Sequence, residues 1–405
     1  MTNLKQEPIV EFHKEWTVHK VKDVFSLEYG KGLPTRQRVF GKYPVVGSNG
    51  IIDQHNEALV IGPGIVVGRK GTIGAISWMD SDFWPIDTTY YVKVKRDDVF
   101  IRWLFYKLSH LNLERFNMSD VVPGLKRDLV YSINFAIPPF PEQKKIAGVL
   151  STVDDAIRLV DVAIARTERL KKRLIQKLFT VGIGNTEFKE TKIGKIPETW
   201  KVIKLEKLLK VQGGFAFKSA DYVKDGVPLL RIANVSFGEI TQDNLVRLPP
   251  NYIRDYSEFA LKENDLLIVL TRPIIEGGFK AGKITSYDLP ALLNQRIGRL
   301  RLKKSDQINS DFMFYLMFSS SFINQMQKGL AVMNQPNIST RKIERFNIPL
   351  PPIQEQKKIA EVLTTIDLSL CLHKKRKQKV QRIKQGLMNE LLSGRKRVRV
   401  GVSVA

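Results

Sequence analysis

The chain has 405 residues, of which 43% are hydrophobic and 26% charged, with a formal net charge of +24 and one cysteine, Cys371. That length leaves room for two or three domains, each with its own core, and a lone cysteine excludes an internal disulfide framework and a cysteine-rich zinc site. The excess of Lys and Arg suits a polyanionic partner, since neutralised phosphates release counterions. It is not one basic tail, because residues 1–140, 141–182, 183–352 and 353–405 are each net positive. The opening MTNLKQEPIVEFHKEW has no apolar signal core. No run reaches the roughly 18 apolar residues of a membrane span, so the expectation is a reduced, cytoplasmic protein.

Residues 1–133 read as short strands and loops with little helix. Trp16, Val18 and Val21 open the segment, Phe25 and Leu27 follow at strand spacing, and seven Gly or Pro residues between Gly30 and Gly50 punctuate the rest. Ala58–Val67 reads as two buried strands around Gly62-Pro63-Gly64, and Tyr90–Val94 as another strand. Phe100–Leu111 is the one clear helix, with Trp103, Leu104, Leu108 and Leu111 along one stripe. Residues 187–346 repeat this plan. Trp200, Val202 and Lys204 match Trp16, Val18 and Lys20 at an offset of 184; strands are expected around Pro228–Val235 and Leu266–Leu270, and a helix near Phe312–Met326.

Each of these domains runs into one copy of a repeated stretch. NFAIPPFPEQKKIAGVLSTVD (Asn134–Asp154) returns as NIPLPPIQEQKKIAEVLTTID (Asn347–Asp367), identical at 13 of 21 positions with an offset of 213. Pro123 and Pro336 share that offset, so the second domain carries about 29 extra interior residues. Pro138-Pro139 and Pro351-Pro352 fix the start of a long helix in each copy, and Glu142 and Glu355 then fall where a carboxylate favours the helix dipole. Ile146, Leu150, Val153, Ile157, Val160 and Ile164 recur at alternating steps of four and three, a coiled-coil seam. The second seam runs through Ile359, Leu363, Ile366 and Leu370, falters at His373 and Lys377, and resumes at Val380, Ile383, Leu387 and Leu391. Two rods of roughly 55 Å bury these seams most simply against each other in antiparallel.

Catalytic patterns are weak. Glu142-Gln143-Lys144 and Glu355-Gln356-Lys357 have the spacing of a nuclease metal site but open helices after proline pairs, so helix-start chemistry explains them better. Gly62, Gly64 and Gly68 miss the dinucleotide fingerprint, and there is no lysine–hydroxyl phosphate loop. Pro249-Pro250-Asn251-Tyr252 has the letters of an aminomethyltransferase motif in the wrong order, and His13, His19, His55, His110 and His373 make no metal spacing. The polar and basic residues of glycine-rich loops are better candidates, as DNA contacts. In the first domain these are Lys31, Thr35, Arg36, Arg38, Ser48, Asn49, Arg69, Lys70, Lys126 and Arg127. In the second they are Lys218, Ser219, Arg231, Asn234, Arg272, Asn294, Gln295, Arg296, Arg341 and Lys342. Arg, Asn and Gln suit guanine and adenine edges, whereas Lys and most Ser/Thr suit phosphates.

The paired Pro-Pro-x-x-Glu-Gln-Lys-Lys-Ile-Ala runs, each closing a strand-rich domain and opening a long helix, resemble the specificity subunit of type I restriction–modification enzymes. Pro44–Ile51, Val67–Gly74, Asp87–Tyr91 and Asn294–Ile297 are similar to segments of its target recognition domains. The resemblance implies an α+β chain of two pseudo-repeated mixed α/β recognition domains (1–140 and 184–352), separated by two long helices (141–183 and 353–398) that form an antiparallel coiled coil, with a short tail (399–405). It implies that each domain reads one half of an asymmetric, interrupted site in double-stranded DNA, and that the helices set the spacing. Two modification (methyltransferase) subunits and restriction/motor subunits are the implied partners. S-adenosylmethionine, ATP and magnesium are expected on those partners and no cofactor on this chain, which is read as non-catalytic. The exposed side of Glu142, Gln143, Lys144, Lys145, Glu355, Gln356, Lys357 and Lys358 is the expected docking point for the methyltransferase subunits. A basic coiled-coil scaffold and a self-contained metal-dependent nuclease are the alternatives.

Overall fold

A computed structural model describes residues 15–116, 124–276, 278–304, 306–331 and 337–398; Pro123, Pro336, His13 and the tail 399–405 lie outside them. The chain divides into two compact units: residues 1–162 with 374–405, and residues 163–373. Each unit thus combines one globular domain with the first part of its own long helix and the last part of the other, where the sequence suggested cuts at the domain ends.

In the first unit, β1 (Thr17–Lys20) pairs antiparallel with β9 (Asn134–Ile137), bringing the start of the domain to the doorstep of the long helix. Between them, β2 (Phe25–Tyr29), β8 (Thr89–Val94), β5 (Gly64–Gly68) and β6 (Ile76–Met79) form a four-stranded antiparallel sheet in that order. A second sheet has the order β4 (Gly50–His55), β3 (Tyr43–Gly47), β7 (Trp84–Pro85). β5 is apolar throughout because both its faces are covered: Ile65 and Val67 face one core, Val66 the other. Helix α1 (Ile101–His110) lays Trp103, Leu104 and Leu108 into the first of these cores. Each such side chain taken from water contributes about 1.5–3 kcal/mol. Ala58–Ile61 is not a strand. Only Val60 makes a bridge, to Phe83, because the chain around Gly62 runs hard against the Ser81–Asp82 backbone.

The second unit has the same sheets. β10 (Lys201–Lys204) would follow the pattern of β1, and it pairs with the strand Asn347–Leu350 as β1 pairs with β9. The four-stranded sheet runs Leu209–Gly213 (β11), Ile297–Leu302, Leu266–Val269 and Ala281–Lys283, and the smaller sheet runs Val246–Leu248, Val227–Leu230 and Leu292–Leu293. The offset between matching strands is 184 at Leu209, 193 by Val246, 208 at Ile297 and 213 at Asn347. Part of the extra chain therefore replaces the tight Ser48–Asn49 turn with a long loop over 231–245. The expected strand through Val235 stops at Leu230, giving way to a 3-10 turn at Ile232–Asn234. The expected helix near Phe312 is two, Ser310–Leu316 and Ser320–Ala331, because Ser319 Oγ accepts from Phe322 N and restarts the second.

The long helices span Phe140–Leu178 and Ile353–Leu391. Within each unit they run antiparallel. In the first, Lys384 Nζ meets Asp154 and Lys377 Nζ meets Asp161, both at 2.6 Å, descending seven residues on one helix for seven ascending on the other. In the second, Lys171 Nζ meets Asp367 at 2.6 Å. Asp154 and Asp367 are 213 residues apart, as are Lys171 and Lys384, so the same contact is made twice. Each aspartate also accepts a phenol, from Tyr106 (2.7 Å) and Tyr315 (2.8 Å) respectively. Burial pushes the Tyr106 phenol up to about 12, with the Asp154 carboxylate adding to the shift; burial likewise raises Tyr315. Lys377, which interrupts the apolar seam, is thus accommodated by Asp161. Ile383 is exposed, and the seam instead passes through half-buried Lys384.

Candidate nucleic-acid interface

In the first domain, four segments meet at one end of the larger sheet. The backbone N–H groups of Arg69 (2.9 Å) and Lys70 (3.1 Å) donate to Thr88 O, and Ser48 Oγ donates to the same carbonyl at 2.7 Å. Leu125 N donates to Arg69 O at 3.0 Å, drawing in the segment that carries Lys126 and Arg127. The second domain makes the same joint with other residues: Leu270 N donates to Arg296 O (2.9 Å), and Ile338 N to Leu270 O (2.8 Å). The backbone frame is shared, yet Leu270 stands where the first domain has Arg69, and Arg296 where it has Thr88.

At the first joint, Lys31, Asn49, Lys70 and Lys126 are exposed, with Lys31 Nζ 5.9 Å from the Trp84 ring centre. Thr35 and Arg36 lie exposed on a single 3-10 turn. Arg38 is committed internally, with Nε donating to Leu33 O and Nη1 paired to Asp53 at 3.1 Å. The backbone N–H of Gln54, then Arg38, holds the Asp53 carboxyl below its ordinary range. Arg69 donates Nε and Nη2 to Asp87 O, and Arg127 donates Nη1 to Leu27 O.

The second joint opens into a cleft of about 880 Å³ lined in part by Thr271, Arg272, Lys280, Gln295, Arg296 and Asn337. It brings together three sequence candidates, Arg272, Gln295 and Arg296, all exposed. Arg272 has a φ of +49°, a left-handed conformation that costs a non-glycine residue about 1 kcal/mol or more. Lys280, not among the sequence candidates, also lines the cleft: its Nζ donates to Ile232 O at 2.7 Å, and burial lowers its pKa. Asn234 is fully buried and structural, accepting from Arg231 N and donating to Thr241 O and Asp243 O. Arg231 donates to Asn244 O, and Asn294 Oδ1 accepts from Arg296 N, so both shape the loops. Lys218, Ser219 and Arg341 are exposed, and Lys342 is half-buried on the short helix Thr340–Glu344.

The repeated helix-opening motif divides between interior and surface. Glu142 accepts from Trp16 Nε1 (3.3 Å) and Arg397 Nε (2.7 Å). Glu355 accepts from Trp200 Nε1 (2.9 Å), Asn185 Nδ2 (2.8 Å) and Ile183 N (2.9 Å). Gln143 and Gln356 are fully buried and bind backbone on both sides: Gln143 to Phe100 N and Asp98 O, Gln356 to Asn309 N and Gln307 O. Glu142, Gln143 and Gln356 are thus buried internal clamps rather than exposed docking residues, and Glu355 is half-buried with its carboxylate bonded internally, while Lys144, Lys145, Lys357 and Lys358 are exposed. Among the described residues, no group of three or more His, Cys, Asp and Glu side chains is arranged to hold a metal ion.

The family model for the type I restriction modification DNA specificity domain matches residues 13–167 and again 197–382. The chain belongs to this family. It is 33% identical over 372 residues to the type I restriction enzyme MjaVIII specificity subunit of Methanocaldococcus jannaschii, covering 90% of this chain and 84% of that one. It is also 35% identical over 170 residues to the EcoAI specificity subunit of Escherichia coli, covering 42% and 28% of the two chains. Among solved structures, the type I restriction–modification S subunit from M. genitalium matches with a TM-score of 0.60 at 15% identity, over 95% of this chain and 98% of that one. The specificity-domain repeats fall on the two globular domains and run on into the helices.

Six of the eight exposed large apolar residues on the two long helices of this specificity-family chain fall in repeat-related pairs, Val162 and Leu368 being the exceptions. Val149 and Val362 are 38% and 39% exposed, Leu159 and Leu372 both 66%, and Leu170 and Ile383 50% and 48%. Every pair is 213 residues apart. One unit presents Val149, Leu159 and Ile383; the other presents Val362, Leu372 and Leu170. Among the described residues, no helix is long and apolar enough to cross a membrane.

Proposed function

We propose that this chain is the DNA-recognition subunit of a type I restriction–modification complex, in which each globular domain reads one half of an asymmetric, interrupted site. The observation that carries this reading is the duplicated loop joint: one backbone frame, held by equivalent hydrogen bonds, with Arg69 and Thr88 in one copy and Leu270 and Arg296 in the other. A shared frame with unlike side chains suits two readers of unlike sequences. The basic excess supplies affinity through phosphates, and the arginine, asparagine and glutamine side chains supply base discrimination of about 1–3 kcal/mol per good pair.

The matching apolar residues on the helices, together with the exposed Lys144, Lys145, Lys357 and Lys358, would dock two copies of one partner, the modification subunit. Restriction/motor subunits would join this assembly, in the cytoplasm. S-adenosylmethionine, ATP and magnesium would be held by those partners, and this chain would contribute no reacting group. The E-x-K nuclease alternative is disfavoured by the internal bonding of Glu142 and Glu355. Competition binding at several salt concentrations tests the proposal. Specific duplexes should be bound with a steep salt dependence and distinct preferences at two separated half-sites, whereas salt-insensitive binding without sequence preference would leave only the scaffold reading.

A further inference from the structure

The ends of matching strands differ sharply between the two domains. In the first, Tyr29 of β2 stands opposite Tyr90 of β8; in the second, the corresponding register position pairs Gly213 with Gly298. The frame is therefore built without either ring in one copy. Tyr90 is 3% exposed and Tyr29 51%, with ring centres 5.1 Å apart. The Arg127 guanidinium carbon lies 4.6 Å from the Tyr29 ring centre and that of Arg69 5.3 Å, and both lie 5.9 Å from Tyr90. Each arginine is also tethered at one edge, Arg69 to Asp87 O (3.0 and 2.6 Å) and Arg127 to Leu27 O (3.3 Å). A long side chain held by a ring and a carbonyl has lost much of its rotamer freedom before any ligand arrives, so its remaining N–H groups keep a fixed direction.

We propose that Tyr29 is a specificity-determining residue of the first domain, a stacking platform that sets Arg69 and Arg127 as a fixed pair of donors to guanine O6 and N7 in the first half-site. The arginine fork matches those two acceptors. This rests on the DNA-reading function proposed above. The second domain, with glycines at the same places, reads its half-site without such a platform.

The test uses the full chain assembled with its modification subunits, competing duplexes with every base varied across both half-sites, and duplexes carrying 7-deazaguanine in the first half-site. Tyr29→Phe keeps the ring and should stay within about twofold of the unaltered chain, whereas Tyr29→Leu should lose about 10-fold in guanine discrimination at the first half-site only. The unaltered chain should be weakened by 7-deazaguanine at one first-half-site position, and Tyr29→Leu should be indifferent to it. Equal loss on all sequences would overturn the proposal in favour of a phosphate contact, as would full discrimination by Tyr29→Leu. If Tyr29→Leu fails to fold, the 7-deazaguanine series on the unaltered chain decides, and indifference at every first-half-site guanine overturns the proposal. Absence of any sequence preference in the unaltered chain would instead refute the DNA-reading function itself.

Discussion

Replacing Glu142 separates an internal clamp from a docking residue. Its carboxylate is 1% exposed and bonded to Trp16 and to Arg397, which is 255 residues away in sequence. Glu142→Ala leaves the indole without this acceptor and the guanidinium with Glu15 at 2.7 Å, a largely exposed partner. Breaking a buried pair costs about 3–5 kcal/mol. Arg397 keeps some access to water, with 24% of its side chain exposed, so a cost at or just below that range, about 2–3 kcal/mol, is expected. For a unit of this size, each kcal/mol moves the melting temperature by about 2–4 °C, giving a fall of about 4–12 °C. Glu142→Gln keeps an acceptor for Trp16 and should lose about half as much. Scanning calorimetry of the full chain is the assay, and the transition of the unit containing Glu142 should move while the other stays. An unchanged melting profile with weakened binding of the modification subunit would refute the clamp and return the carboxylate to the surface.

Gly182→Ala should cost more than Gly394→Ala in the same assay. Both have left-handed φ, but a Cβ at Gly182 would lie 2.2 Å from Glu355 Oε1 and 2.7 Å from the Trp200 ring, whereas at Gly394 it would meet Trp16 no closer than 3.3 Å. Arg272→Gly should stabilise the free chain by about 1 kcal/mol by relieving its left-handed backbone, yet weaken recognition at the second half-site; chemical denaturation paired with duplex binding checks both. Burial pushes the Tyr90 and Tyr106 phenols up to about 12, so their stabilisation is intact below the unfolded pKa near 10 and is lost as pH rises through the folded values. Melting temperature should hold to about pH 9 and fall between about pH 10 and 12, and Tyr106→Phe should flatten that fall.

The repeated motif revealed the two helices and their seams because an apolar period and a proline stop are local properties. The antiparallel pairing followed from the need to bury both seams, and the Asp154–Lys384 and Lys171–Asp367 contacts realise it. The fate of Glu142 was hidden, because nothing near it in sequence announces that Arg397 will cover it. Ile383 misled because the seam admits Lys384, whose chain reaches Asp154. The loop joint was equally obscured, since the offset between domains changes from 201 at Arg69 and Leu270 to 208 at Thr88 and Arg296, so no ungapped comparison aligns both. Glycine-rich loops drew attention to Arg69 and Arg127, which the fold brings to the first joint, and to Arg272 and Arg296, which it brings to the second, whereas Asn234 is buried because its side chain closes its own turn.

The most direct test of two separate readers is the methylation pattern laid down by the complete complex, mapped genome-wide for the unaltered chain, for Arg69→Ala and for Arg296→Ala. The expected result is one interrupted, asymmetric motif that relaxes in its first half with Arg69→Ala and in its second half with Arg296→Ala. Relaxation of both halves by either substitution, or a motif that neither alters, would contradict the account.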